Sequence, residues 1–211
     1  MIQINHLSVR RGNVPLRYAR GHFATNHSHI NCYVDITFQK TRLSEAKSVA
    51  KELVKRFSTT TLVDTVLCLD GTAVIGTCLA NELTKTGFHN INLHKTIYVV
   101  EPEYNANSQI IFRDNIKPMI KGKNILVLMA SMTTGFTAKR SIEAISYYGG
   151  YVAGCAAVYS AVENTGGFPV ASVYNLTDLP EYESYDSREC PYCKKGIPID
   201  ALVNSFGYSA L

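Results

Sequence analysis

The sequence predicts an α/β domain with a central, mostly parallel sheet flanked by helices. Three observations predict it. Short, nearly continuous apolar runs rich in β-formers recur along the chain, amphipathic stretches at helical spacing separate them, and no linker, repeat or low-complexity segment divides the 211 residues. Parallel strands are buried on both faces and so read apolar throughout, and the crossover between two of them is usually a helix.

The first clear element is Leu43 to Phe57, where Ala46, Val49, Ala50, Leu53, Val54 and Phe57 fall on one helical face and Lys47, Lys51, Glu52 and Lys55 on the other. Leu62 to Leu69 reads as a buried parallel strand, and Ala73 to Leu83 as a helix. Thr96 to Val100 is a second strand, with Gln109 to Phe112 a strand on an excursion from the sheet. Asn124 to Met129 is a third core strand, followed by a helix from Ala138 to Tyr148 that turns Ile142, Ile145 and Tyr148 inward. Gly149 and Gly150 end that helix, since glycine adopts the left-handed cap conformation at little cost. Tyr151 to Tyr159 and Phe168 to Tyr174 complete a five-stranded core.

Composition narrows the function. With 46% hydrophobic and 18% charged residues the chain is not a disordered one. Its net charge of +4 is too small and too scattered to mark a nucleic-acid binder, so no nucleic acid is expected as a partner. The longest apolar stretch, Tyr151 to Val162, is interrupted by Gly154 and Ser160 and falls short of the roughly 18 residues a membrane span requires. The N-terminus has no basic region followed by an apolar core, so no signal peptide is expected. Six cysteines without an export signal point to reduced thiols and a cytoplasmic location.

Ligands of parallel α/β sheets bind beyond the carboxyl ends of the strands, which directs attention to two loops. In Thr133-Thr134-Gly135-Phe136-Thr137 a buried strand passes into a helix through small hydroxyl residues and a glycine. Unpaired N–H groups and the helix dipole at such a junction suit a phosphate, and a plain Thr-capped helix start is the alternative. The second loop, Asp70-Gly71-Thr72-Ala73, also joins strand to helix, and Gly76 just beyond it suits close packing of that helix on the sheet. Two such turns in one small domain suggest a ligand with two phosphate groups.

The strand with its Thr133 to Thr137 turn resembles the phosphoribosylpyrophosphate (PRPP) signature of type I phosphoribosyltransferases. Gly21-His22-Phe23, followed by His29 and Tyr33, is similar to the N-terminal signature of the orotate branch, and Glu189 to Pro198 to the C-terminal end of some bacterial members. The resemblance implies a Rossmann-like phosphoribosyltransferase domain over 1–211, with a small hood from segments at about 1–40 and 175–211. It further implies that Thr133, Thr134, Gly135, Phe136 and Thr137 hold the ribose 5-phosphate. Asp70, Gly71, Thr72 and Ala73 would form the pyrophosphate loop, and Phe23, His29 and Tyr33 would belong to the hood over the base. The implied reaction transfers phosphoribosyl from PRPP to orotate or a related nucleobase and releases pyrophosphate. Mg²⁺ enters with PRPP, and the working unit is a homodimer.

The departures from the family fall on the chemistry. Its adjacent acidic pair, which binds the ribose hydroxyls, is replaced by Met129 and Ala130. Val100-Glu101 stands where orotate enzymes have Arg-Lys, and the segment from Tyr104 to Gln109 lacks the lysine and histidine of their mobile loop. The catalytic residues are therefore unassigned. Three readings stay open: a transferase using other groups such as Asp70 or Arg113, a relative that has lost turnover and senses PRPP or a nucleotide, and a scaffold for protein interaction.

Cys190-Pro-Tyr-Cys193 has the spacing of half a tetrahedral zinc site, with no second CxxC in the chain to complete it. Zinc on Cys190 and Cys193, with His27 and His29 as the remaining ligands if the fold brings them near, is one reading. Unliganded reduced thiols on a C-terminal tail are a second, and a site shared between subunits a third. His22, His27 and His29, clustered within eight residues, also invite a metal or acid–base reading, with base recognition in the hood and plain surface histidines as the alternatives.

Overall fold

The computed structural model describes residues 5–6, 11–57, 61–85, 91–92 and 96–211. Parts of the N-terminal hood segment, 1–4 and 7–10, lie outside them.

The chain opens with β1 (Asn5–His6), β2 (Arg17–Ala24) and β3 (His29–Asp35), an antiparallel group. A short helix α1 (Thr37–Thr41) leads into α2 (Leu43–Val54), which buries Ala46, Val49, Ala50 and Leu53 as its periodicity requires. Then follow β4 (Thr65–Cys68), α3 (Ala73–Leu83) and β5 (Tyr98–Val100). The excursion is a small hairpin of β6 (Glu103–Tyr104) and β7 (Ile110–Ile111), separate from the main sheet. Next come β8 (Asn124–Met132), α4 (Phe136–Tyr147), β9 (Tyr151–Ser160), β10 (Asn164–Thr165) and β11 (Phe168–Asn175). The C-terminal part holds β12 (Ser184–Tyr185), α5 (Pro191–Lys194), β13 (Ala201–Asn204) and β14 (Gly207–Ala210).

The central sheet runs β11-β9-β8-β4-β5, parallel throughout, with β10 added antiparallel at one edge. Counting only the five parallel strands in chain order, this is the 2-1-3-4-5 arrangement. Its direction reverses between β4 and β8, and an open parallel sheet forms its ligand crevice at such a switch point. Successive residues of β8 point to opposite faces, and both faces are covered. Leu126, Leu128 and Ala130 join the core that contains α2 and α3, while Ile125, Val127 and Met129 join the one that contains Ala138, Ile142 and Ile145 of α4.

A second sheet, β12-β3-β2-β13-β14 with β1 on β2, interleaves strands from both ends of the chain. Here β13 runs parallel to β2, pairing Ala201 with Phe23, and β12 lies antiparallel on β3. This is the hood. Its apolar side, including Phe23, Ile30 and Tyr33, is continuous with the first core. A bidentate ion pair fastens it to the helical layer: both guanidinium nitrogens of Arg17 on β2 donate to the Glu45 carboxylate of α2 at 2.9 Å.

The expected helix from Ala138 to Tyr148 begins at Phe136, and Gly149 at φ 76° closes it, its N–H bonded to Ser146 O. Tyr148 packs edge-on to Phe112 at 5.1 Å, whereas Tyr147, at 84% exposure, takes no part in the core. Gly76 sits where α3 crosses β4, and a Cβ there would lie 2.2 Å from Cys68 Sγ. Gly76→Ala is expected to destabilise the fold by about 1–3 kcal/mol through overpacking, read as a lower urea midpoint at unchanged m-value.

Candidate functional site

Strand β8 delivers its chain to the sheet's C-terminal edge, and residues 133–135 carry it into α4. Gly135 adopts φ 74° and ψ 3°, a left-handed conformation suited to glycine, and a Cβ there would also meet Thr165 Oγ1 at 3.0 Å. The turn leaves donors unspent. Among the described residues, the N–H groups of Thr133, Thr134, Gly135, Thr137 and Ala138 have no hydrogen-bond acceptor, and that of Phe136 reaches only Thr134 Oγ1 at 3.5 Å. The helix dipole adds partial positive charge at the same point.

The neighbouring loop follows β4. Leu69 N–H still bonds to Leu128 O, so this loop leaves the sheet beside β8. Asp70 at φ 56° and Gly71 at φ 71° are consecutive left-handed residues, a strained turn that Asp tolerates better than most side chains. Thr72 is spent internally, its hydroxyl donating to Leu69 O at 2.7 Å and Leu128 O at 3.2 Å.

Between the loops lies a cleft of about 230 Å³. All of Thr133 to Thr137 line it, as do Asp70, Lys40, Tyr33 and the turn of the β13–β14 hairpin. A second lobe, past Asp70 and Gly71, is bordered by Glu101, Tyr104, Arg140 and Phe206, the last 93% exposed at the hairpin tip. Thr72 and Ala73 border neither lobe. Of the three expected hood residues only Tyr33 faces the cleft. Phe23 is fully buried behind it, with ring centroids 6.1 Å apart, because it sits on the core side of β2. His29 turns instead toward His22, Cys190 and Cys193. His27 goes the other way, its ring 5.1 Å from Phe136 at the cleft rim.

Met129 and Ala130 both line the cleft, so its floor is apolar where the resemblance leads one to expect carboxylates. The carboxylate that lines this cleft is that of Asp70. Lys40 of α1 reaches the same place: its ammonium donates to Asp70 O at 3.0 Å and also to Ser205 O, joining the loop to the hood hairpin. No motif marks Lys40 in the sequence, and only the path of α1 beneath the hairpin reveals it. At the back of the cleft the hydroxyls of Tyr159 and Tyr182 are buried without a hydrogen-bond partner among the described residues. Burial pushes the Tyr33 phenol up to about 12, and that of Tyr104 likewise, with Asp70 adding to the latter.

No protein-family model matches the chain. The orotate phosphoribosyltransferase of Thermoanaerobacter sp. (strain X514) is 27% identical to it over 194 residues, 85% of this chain and 87% of that one. The orotate phosphoribosyltransferase of Caldanaerobacter subterraneus subsp. tengcongensis is 33% identical over 81 residues, 37% of this chain and only 40% of that relative's length. Among solved structures, Leishmania donovani UMP synthase superposes with a TM-score of 0.57 at 16% identity, over 85% of this chain and 36% of that one. Orotate phosphoribosyltransferase from Aeropyrum pernix does so with a TM-score of 0.51 at 21% identity, over 77% and 90%. The switch-point cleft, the two loops and the hood define a type I phosphoribosyltransferase fold. Sequence relationship agrees with architecture: along most of its length the chain is similar to orotate phosphoribosyltransferases. Among the described residues no helix is long and apolar enough to cross a membrane.

Burial raises the pKa of the Asp70 carboxyl above the usual carboxylate range, against the opposing pull of Lys40 and the Ala130 N–H. Ionising this group costs the folded state, so its contribution to stability is greatest at acid pH and declines as pH rises through the folded-state value. Asn keeps the left-handed backbone and an oxygen acceptor at this position. Asp70→Asn is therefore expected to raise Tm at pH 7, with the gain shrinking toward pH 4 in a calorimetric series.

Proposed function

We propose that the cleft binds a ribose 5-phosphate unit, presented as PRPP, and that the chain transfers it to orotate or a related nucleobase with release of pyrophosphate. The observation that carries this reading is the set of unspent amides from Thr133 to Ala138 at the switch point, a cradle for the 5-phosphate. In the proposed arrangement the pyrophosphate lies along Asp70 and Gly71, and the base lies under the hood, against Tyr33. A base nitrogen forms the new bond to C1 of the ribose as the C1–O bond to pyrophosphate breaks, the leaving oxygen keeping the electron pair. Charge develops on the ribose and on the departing group, so what the chain supplies is position and electrostatics.

Magnesium fits this site. It is a hard cation that keeps one or two carboxylates and takes its other ligands from phosphates and water, and Asp70 offers the oxygen donor. When bound it would offset the charge of the pyrophosphate. Lys40, anchored on Asp70 O and Ser205 O, would hold the loop and hairpin in register around the ligand. Tyr159 and Tyr182 would offer their unpartnered hydroxyls to polar ligand atoms.

One observation favours a second reading, a relative that binds PRPP or a nucleotide without turnover. Met129 and Ala130 line the cleft floor and offer no carboxylate, only the weak thioether acceptor of Met129. The deciding measurement incubates the full chain with Mg²⁺, PRPP and a panel of nucleobases and follows pyrophosphate, with calorimetric titration of PRPP and nucleotides alongside. Pyrophosphate release with orotate supports the transferase. Binding without release by any base supports the sensor, and binding of neither ligand overturns both.

The cradle has its own test. A carboxylate in the first turn of α4 complements the helix dipole yet repels an anion. Thr137→Glu is expected to keep Tm and to weaken PRPP binding by about 10- to 150-fold, the equivalent of one charge-assisted hydrogen bond of about 1.5–3 kcal/mol. Unchanged affinity would remove the 5-phosphate from this loop.

A further inference from the structure

On the far side of the hood from the cleft, four side chains converge: His22 of β2, His29 of β3, and Cys190 and Cys193 at the start and within α5. We propose that they form a tetrahedral Cys₂His₂ site for zinc, which fastens the C-terminal segment to the N-terminal hairpin of the hood. Four donor atoms, one from each residue, lie within 4.8 Å of one another. His22 Nε2 is 3.4 Å from Cys190 Sγ and 3.6 Å from Cys193 Sγ, and His29 Nδ1 is 3.3 Å from Cys193 Sγ and 3.0 Å from His22 Nε2. Zinc with bonds of about 2.3 Å to sulfur and 2.0–2.1 Å to nitrogen makes a tetrahedron with edges of about 3.3–3.8 Å, so a small inward or outward shift suffices to seat it.

The surroundings suit a metal ligand set better than a hydrogen-bonded cluster. The other ring nitrogen of His22, Nδ1, lies 3.0 Å from both Ile197 O and Pro198 O. A carbonyl can only accept, so Nδ1 carries the proton and Nε2 presents its lone pair to the cluster. The Tyr192 ring stacks on His22 at 5.2 Å, shielding the ligand from one side. Cys190 is fully buried, and the chain turns away after the pair through Gly196 at φ 70°. Four protein ligands leave no open position, which makes the site structural rather than catalytic.

The site also has a mechanical meaning. Asp200 accepts the His22 N–H at 2.7 Å and donates its own N–H to His22 O at 2.8 Å, and β13 begins at the next residue. The hairpin turn lining the cleft is thus fixed relative to the same residue that would bind the metal. Zinc at this point holds the hood without touching the ligand.

The test uses the full chain, purified under reducing conditions without chelators. Elemental analysis is expected to find one zinc per chain. After removal of zinc, cobalt titration of the reduced protein is expected to saturate at one equivalent, with the intense visible bands of a tetrahedral site and a thiolate charge-transfer band. Cys193→Ser and His29→Ala should lose both signals, and Cys78→Ser, remote from the cluster, should keep them. Zinc removal should lower Tm. Wild-type protein that arrives without zinc and gives no tetrahedral cobalt spectrum overturns the proposal. So does a His29→Ala variant with the wild-type spectrum, because the ligand set would then be wrong. Because none of these readouts involves PRPP, the site stands or falls independently of the proposed transferase activity.

Discussion

The arrangement of the whole molecule depends on one constraint of parallel sheets: where the strand order changes direction, two adjacent strands send their chains to opposite sides. Between β4 and β8 the crossovers diverge, α3 covering one face and α4 the other. The gap left between them cannot be filled by either helix. Backbone donors that a tightly packed loop would have consumed stay free at its rim, from Thr133 to Ala138. Everything around the cleft either borders that gap or roofs it.

The missing acidic pair is less complete a loss than the sequence suggests. Asp70 follows the adjacent strand and lines the same cleft as Met129 and Ala130, bringing a carboxyl group beside the positions that would have carried the pair. The substitution is not equivalent. A carboxylate held by burial, a left-handed backbone and a contact to β8 is more tightly constrained than two on a strand end. Lys40, itself lowered in pKa by burial and opposed in this by Asp70 and Asp35, supplies the nearby positive charge. The result is a mostly neutral floor with a single balanced pair at one side.

Much of the central sheet was legible because both faces of each strand are buried, which leaves a continuous apolar signature in β4, β8 and β9. The two loops were legible for a related reason, since each had to follow such a strand. The hood strands carry no such signature. Those from 17–35 carry mixed patterns because one side faces the core and the other holds Arg20, Asn31 and the histidines. Phe23 illustrates the limit: a bulge between Arg20 and Phe23 shifts the register of β2, which no count of alternation reveals. His22 joins the CxxC pair in the place that sequence proximity offers to His27. The difference lies in topology, because β2 and β3 bring residues 22 and 29 side by side, while residue 27 sits in the turn between them.

The interleaving of the second sheet has a consequence for how the protein comes into being. Ala201 pairs with Phe23 and Ser184 with Ile30, residues far apart along the chain. Contacts of such separation cannot form before residues 184–204 have been synthesised, so the central layers can assemble first with their crevice uncovered. During that interval the edge of β2 awaits a neighbour that does not yet exist. Nascent chains should be most vulnerable to proteases and to one another there, until residues 184–204 emerge.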